Sequence, residues 1–171
     1  MKNRESNKIQ KIVMTAMLAS FACVATMIIK IPSPLGGYIN LGDCIVLLSA
    51  WVISPLCAFF AAALGSALAD ALGGYMAYVP ATFIIKGLMA IVACFVFRAT
   101  AKKLPALASR IIAGILAELE MIGGYLVFES FLYGFVPSLV NVPANAVQGA
   151  VGVVLGILLK TVFEKNKLIM K

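Results

Sequence analysis

The chain has 171 residues, of which 63% are hydrophobic and only 12% charged, with a net charge of +7 and no histidine. A soluble domain is about half apolar and a quarter charged, so a water-exposed fold of this size would carry a large unpartnered apolar surface. This composition predicts an all-α membrane protein, and the length suits a single bundle in which each crossing takes roughly 20 residues plus a connection.

The absence of histidine argues against a zinc site, a haem site and a Ser-His-Asp triad. Cys23, Cys44, Cys57 and Cys94 stand singly in apolar stretches without a CxxC pair, as small core or lipid-facing residues do. No GxxxxGK[ST] sequence is present, so the chain has no P-loop for ATP, and energy for any active transport would have to come from a partner or an ion gradient. The basic residues flank apolar runs and lack aromatic interleaving, which is the pattern of membrane flanks and not of a nucleic-acid surface.

In chain order, the first uncharged run, Ile12 to Ile29, reads as a retained helix and not a cleaved signal peptide. Lys30 and the breaker-rich Ile31-Pro32-Ser33-Pro34-Leu35-Gly36-Gly37 end it. The next uncharged run, Cys44 to Ala69, holds Ser54-Pro55 at its middle and reads as one kinked span or two short ones. Charge decides for two. Only then do the three basic clusters (before helix one, around Arg98 to Arg110, and from Lys160 onward) share the cytoplasmic side, with 12 of the 14 basic residues. The predicted helices lie near 12–29, 40–54, 56–72, 81–98, 109–129 and 142–161. Both termini are cytoplasmic, as short tails of about residues 1–11 and 162–171. Lys30–Ile39, Gly73–Pro80 and Ser130–Asn141 form the external loops. The whole chain, 1–171, reads as a single transmembrane domain. The triplet Gly-Gly-Tyr recurs at 36–38, 73–75 and 123–125 with irregular spacing.

Ionisable residues inside spans cost roughly 2.5–3.5 kcal/mol each at a helix centre and normally face a bundle interior or a cavity. Asp43, Asp70, Lys86, Glu118, Glu120 and Glu129 are the candidates. The ones near the outer ends also suit helix capping, and Lys86 also suits a pairing with Asp70. Glu118 and Glu120 point to opposite faces, so at most one lines a shared cavity. Asn141, Asn145 and Gln148, at i, i+4 and i+7, put three amides on one face of the last helix, suited to a neutral heterocycle or to interhelical hydrogen bonds. Thr82 and Lys86 stack at i, i+4. Thr15xxxAla19, Ala16xxxSer20, Ala62xxxSer66, Gly65xxxAla69 and Gly152xxxGly156 mark close helix contacts, and the helix-one pairs also suit docking of another membrane protein.

The segments Gly37-Tyr38-Ile39-Asn40-Leu41-Gly42-Asp43, Gly65-Ser66-Ala67-Leu68-Ala69-Asp70, Pro80-Ala81-Thr82-Phe83-Ile84-Ile85-Lys86-Gly87 and Val142-Pro143-Ala144-Asn145-Ala146-Val147-Gln148-Gly149 together resemble the S components of energy-coupling factor (ECF) transporters. The resemblance is to the branch assigned to riboflavin, pyridoxine or hydroxymethylpyrimidine. It implies a six-helix bundle in a bacterial or archaeal plasma membrane, without enzymatic activity or cofactor. Such a bundle captures a vitamin from outside and docks through helix one onto a transmembrane T subunit carrying two ATPases. Ala16, Ala19 and Ser20 fall where the family has its docking pair, with Ser20 in place of an alanine. The expected vitamin site lies beneath the outer loops. Asn145 and Gln148 supply hydrogen bonds, Lys86 and Glu120 charge, and Tyr38, Tyr75 or Tyr78 a stacking wall, with Asn40, Thr82 and Asn141 completing the set. Two other classes stay open on the residues alone: an intramembrane acid–base enzyme using Glu118 or Glu120, and a channel or exporter oligomerising through Gly152xxxGly156.

Overall fold

A computed structural model describes residues 2–165, with side chains from Asn7 onward. The basic positions Lys2, Arg4, Lys167 and Lys171, and the tail beyond Lys165, lie outside those side chains. The elements in order are α1 (Lys2–Ile28), the strands β1 (Ile31–Pro32) and β2 (Tyr38–Ile39), α2 (Gly42–Val52), α3 (Pro55–Leu72), α4 (Val79–Thr100), α5 (Ala106–Tyr133), the single turn α6 (Phe135–Ser138), a 3-10 turn (Leu139–Asn141) and α7 (Val142–Lys165). Among the described residues, five segments are long and apolar enough to cross a bilayer, and α2 is a shorter apolar sixth.

The break at Ser54-Pro55 separates two helices. Ile53 and Ser54 are extended, as a residue before proline prefers, and Pro55 takes the first helical position, where its missing N–H costs nothing. At 11 residues, α2 spans only ~17 Å, less than the expected 15 residues would give. Its N-terminus is set back because Asn40 folds over it, its side-chain oxygen accepting from the Gly42 N–H at 2.8 Å. The loop Lys30–Ile39 carries a two-stranded antiparallel hairpin that the sequence reading did not anticipate, with Ile31 opposite Ile39 and Pro32 opposite Tyr38. Gly36 turns it with φ of 89°, a left-handed conformation that glycine adopts without strain.

The short helix α2 sits at the centre, packed against α1, α3, α4 and α7. Its Val46, Leu47 and Leu48 are buried against the alanine face of α3 and against Met89, Ala90 and Ala93 of α4. Small residues set the helix spacing where the sequence placed them. A Cβ at Gly65 would collide with the Ala19 carbonyl of α1, and Gly152 and Gly156 give α7 its approach to Asp43, Cys44 and Leu47 of α2. The Gly152xxxGly156 face is therefore used inside the bundle and not left for another copy. Outward, Ile12, Leu56 and Phe131 are 68%, 67% and 86% exposed, a surface only lipid accommodates at this density.

One end of the bundle gathers the hairpin, the α3–α4 connection and α6. At the other, Arg110 of α5 donates to Glu164 of α7 at 2.5 Å, and Lys160 lies 3.4 Å from the same carboxylate.

Candidate substrate-binding site

The pocket lies at the hairpin end. Its wall takes Ser33, Gly37, Tyr38 and Asn40 from the hairpin and its exit, Asp70 from α3, and Tyr75, Tyr78 and Thr82 from the α3–α4 connection and α4. Tyr125 and Glu129 of α5 with Asn145 and Gln148 of α7 close it. Four of the chain's five tyrosines line it. The Tyr38 and Tyr75 rings stack with centroids 4.6 Å apart at a 50° tilt, and Tyr78 meets Tyr75 edge-on at 6.4 Å. Lys30 caps this wall, its Nζ lying 4.7 Å from the Tyr38 ring centre and 5.6 Å from that of Tyr75.

Two hydrogen-bond chains hold the pocket in shape. The first runs through the bundle. Gln148 Oε1 accepts from the Asn40 backbone N–H at 2.8 Å and from Asn40 Nδ2 at 3.2 Å. Gln148 Nε2 donates to Asp43 Oδ2 at 2.7 Å, and Lys86 Nζ ion-pairs with Asp43 Oδ1. Lys86 and Asp43 are 2% and 0% exposed, so neither charge is tolerable without the other. The pairing of Lys86 with Asp70 that the sequence offered does not form; Asp70 instead accepts from the Tyr38 hydroxyl at 2.5 Å. Burial first, and then the Asp70 carboxylate, push the Tyr38 hydroxyl far above the ordinary phenol range, so it stays a donor.

The second chain secures the hairpin tip. Glu129 Oε1 accepts from Asn141 Nδ2 at 2.9 Å and faces the Tyr78 hydroxyl at 3.3 Å; Asn141 Oδ1 accepts from the Leu35 N–H at 3.3 Å. Glu129 Oε2 is buried without a hydrogen-bond partner. Thr82 and Tyr125 hydroxyls share a hydrogen bond of 2.9 Å at the pocket floor.

Of the sequence-predicted site residues, Tyr38, Asn40, Tyr75, Tyr78, Thr82, Asn145 and Gln148 come together at the pocket. The amide stripe divides by role. Gln148 is committed to Asn40 and Asp43, and Asn141, in the 3-10 turn before α7, is a strut for the hairpin. Asn145 is half-buried on the wall, and among the described residues no hydrogen bond occupies its amide. Lys86 sits behind the wall and Glu120 is not among the lining residues. Glu118 faces α7 at Gly149 and Gly152, away from this pocket. On α1, Ala16 and Ser20 are exposed whereas Ala19 is turned against Gly65 of α3, so only the first two are open to a partner.

Asp70, Tyr125, Glu129, Ser33 and Gly37 join the wall beyond the expected set. Their signal was present. Tyr38, Tyr75 and Tyr125 each end one of the three Gly-Gly-Tyr triplets, and the fold brings all three tyrosines to one pocket although their spacing is irregular. Asp70 and Glu129 stood out as carboxylates near the outer ends of spans.

The chain is 33% identical over 135 residues to an uncharacterised protein of Pyrococcus woesei, covering 78% of this chain and 87% of that one. It shares its fold with the solved S component of a bacterial ECF transporter, with a TM-score of 0.69 and 21% identity over 96% of this chain and 99% of the other. A family model for the S component of ECF-type riboflavin transporters matches residues 6–165, and the chain belongs to that family.

Proposed function

We propose that this chain captures a B vitamin or precursor of the riboflavin, pyridoxine or hydroxymethylpyrimidine class from outside the cell and passes it to an ATP-driven partner complex. The observation that carries this reading is the pocket's chemistry: a tyrosine wall beside the uncommitted Asn145 amide and the unpartnered Glu129 oxygen. A flat heterocycle stacks on such a wall while its ring N–H and carbonyl groups meet fixed acceptors and donors. The family's description names riboflavin, which has both features.

In this arrangement the pocket encloses about 30 Å³, the share of one water molecule. Admitting a vitamin therefore requires the hairpin to lift, releasing Leu35 from Asn141, Tyr38 from Asp70 and Asn40 from Gln148. The hairpin end faces outward and both termini lie in the cytoplasm in this proposal, in keeping with the basic clusters at the opposite end. A single cysteine at Ser54, in a background without the four native cysteines, is expected to react with impermeant thiol reagents only from the cytoplasmic side. Labelling from outside would overturn that orientation.

Transport is expected to require a T subunit and two ATPases, docked on the exposed face of α1 that carries Ala16 and Ser20. Replacing either residue with leucine thickens this face and should abolish vitamin uptake by cells supplying those partners, while the purified chain still binds vitamin. Uptake that persists without the ATPases would favour a self-sufficient channel. Normal uptake by both leucine variants would place docking elsewhere.

A further inference from the structure

A second cavity, separate from the tyrosine pocket, opens on the apolar flank of the bundle between α5 and α7. It is lined by Ile115, Glu118, Leu119 and Ile122 of α5 and by Ala146, Gly149, Ala150 and Val153 of α7, with a volume of about 320 Å³. Seven of these residues are apolar. Glu118 is the exception: it is 4% exposed, and both carboxylate oxygens are buried without a hydrogen-bond partner among the described residues. The glycines give it this position, since a Cβ at Gly149 would sit 3.0 Å from Glu118 Oε2 and one at Gly152 would sit 2.8 Å from Oε1.

An unpartnered carboxyl group beneath an apolar cleft is costly, because neither the bundle nor lipid tails supply a donor. The site lies near the middle of α5 (Ala106–Tyr133), away from lipid head groups at either end. Of the nearby charges, Asp43 lies against the same side of Gly152 as Glu118, and Lys86 is already paired with Asp43. The missing donor therefore has to arrive with an occupant. At about 30 Å³ per water, the cleft has room for about ten waters, or for a short apolar chain with one polar end.

We propose that the α5–α7 cleft binds a lipid-dissolved amphiphile with a hydrogen-bond-donating head, a primary amine or hydroxyl, which meets Glu118 while its chain lies along Ile115, Leu119, Ala150 and Val153. This site shares no lining residue with the vitamin pocket. Ala146 and Ala150 keep the entrance open on the α7 side, and Gly149 seats the carboxyl group.

The test uses the full chain in phospholipid nanodiscs with three diazirine-bearing probes of equal length: a dodecyl amine, a dodecyl alcohol and a dodecane. After illumination, peptides are mapped by mass spectrometry. The amine or alcohol is expected to label α5 and α7 around the cleft at least tenfold above the lipid-facing residues of α3, and the alkane to label both alike. Stronger labelling by the amine identifies a cationic occupant, and stronger labelling by the alcohol a neutral one. Glu118→Leu should reduce donor-probe labelling to the alkane level. Ala150→Phe should do the same by filling the cleft, and it leaves the carboxylate in place should Glu118→Leu fail to fold. Equal labelling by all three probes, or labelling unchanged by Ala150→Phe, would overturn the proposal.

Discussion

Lys86→Met is expected to destabilise the protein by about 3–5 kcal/mol, the usual cost of removing one partner of a buried ion pair. The reason is local. Asp43 is fully buried, and without Lys86 its charge retains only the Gln148 amide. In a chain of this size such a loss lowers the melting temperature on the order of 10 °C. Lys86→Met combined with Asp43→Asn removes both charges while keeping a partner for Gln148, and should recover most of the loss. Thermal unfolding of the purified variants in detergent checks this. A single variant that melts like the parent would mean the pair does not hold α2 to α4.

Asn145→Ala is expected to weaken vitamin binding about five- to 150-fold, the equivalent of roughly 1–3 kcal/mol for leaving a buried polar ligand atom unpaired. Its melting temperature should stay close to that of the parent, because no hydrogen bond within the described bundle depends on this amide. Gln148→Ala should lose affinity by a similar factor and stability as well. It frees the Asn40 backbone N–H, opens the chain to Asp43 and loosens the hairpin exit that forms one wall of the pocket. Cys94, buried in the core on α4 away from the pocket, is the control: Cys94→Ala should leave affinity unchanged. Titration of each variant with riboflavin, pyridoxine and hydroxymethylpyrimidine separates these outcomes. If Asn145→Ala binds as the parent does, its amide faces the pocket without touching the ligand.

Hydropathy made the helices legible, since uncharged runs of this length have few other uses. The break at Ser54-Pro55 was legible from the placing of the basic clusters, since proline alone left a kink or a break open, and the small-residue spacings of α3 and α7 were legible from the need for close approach in lipid. Helix ends were less so. Tyr133 continues α5 past the expected stop at Glu129 because the helix runs on until Gly134, whose φ of 89° ends it. The hairpin was hidden because its strands are two residues each and owe their pairing to the turn at Gly36.

For the site, residue type was more legible than role. Lys86 was expected to carry charge to the ligand, but an ammonium this deep needs a carboxylate of its own, and Asp43 supplies it. Glu118 and Glu120 were set on opposite faces of the helix, but that spacing does not say which of them meets the cavity. Of the amide stripe, Asn145 and Gln148 share the pocket wall while Asn141 falls in the 3-10 turn before α7, and which amide is free depends on long-range partners such as Leu35 and Asn40, which helical spacing does not reveal. The three Gly-Gly-Tyr triplets were the most informative signal left unused, because convergence in space does not require regular spacing in sequence.

Native mass spectrometry of the purified protein, incubated with each candidate, tests whether the pocket at the hairpin end holds a vitamin. The account predicts a one-to-one complex with the mass of riboflavin, pyridoxine or hydroxymethylpyrimidine, retained by Cys94→Ala and depleted in Asn145→Ala. No bound mass with any of the three, under conditions where the protein stays folded, would contradict it.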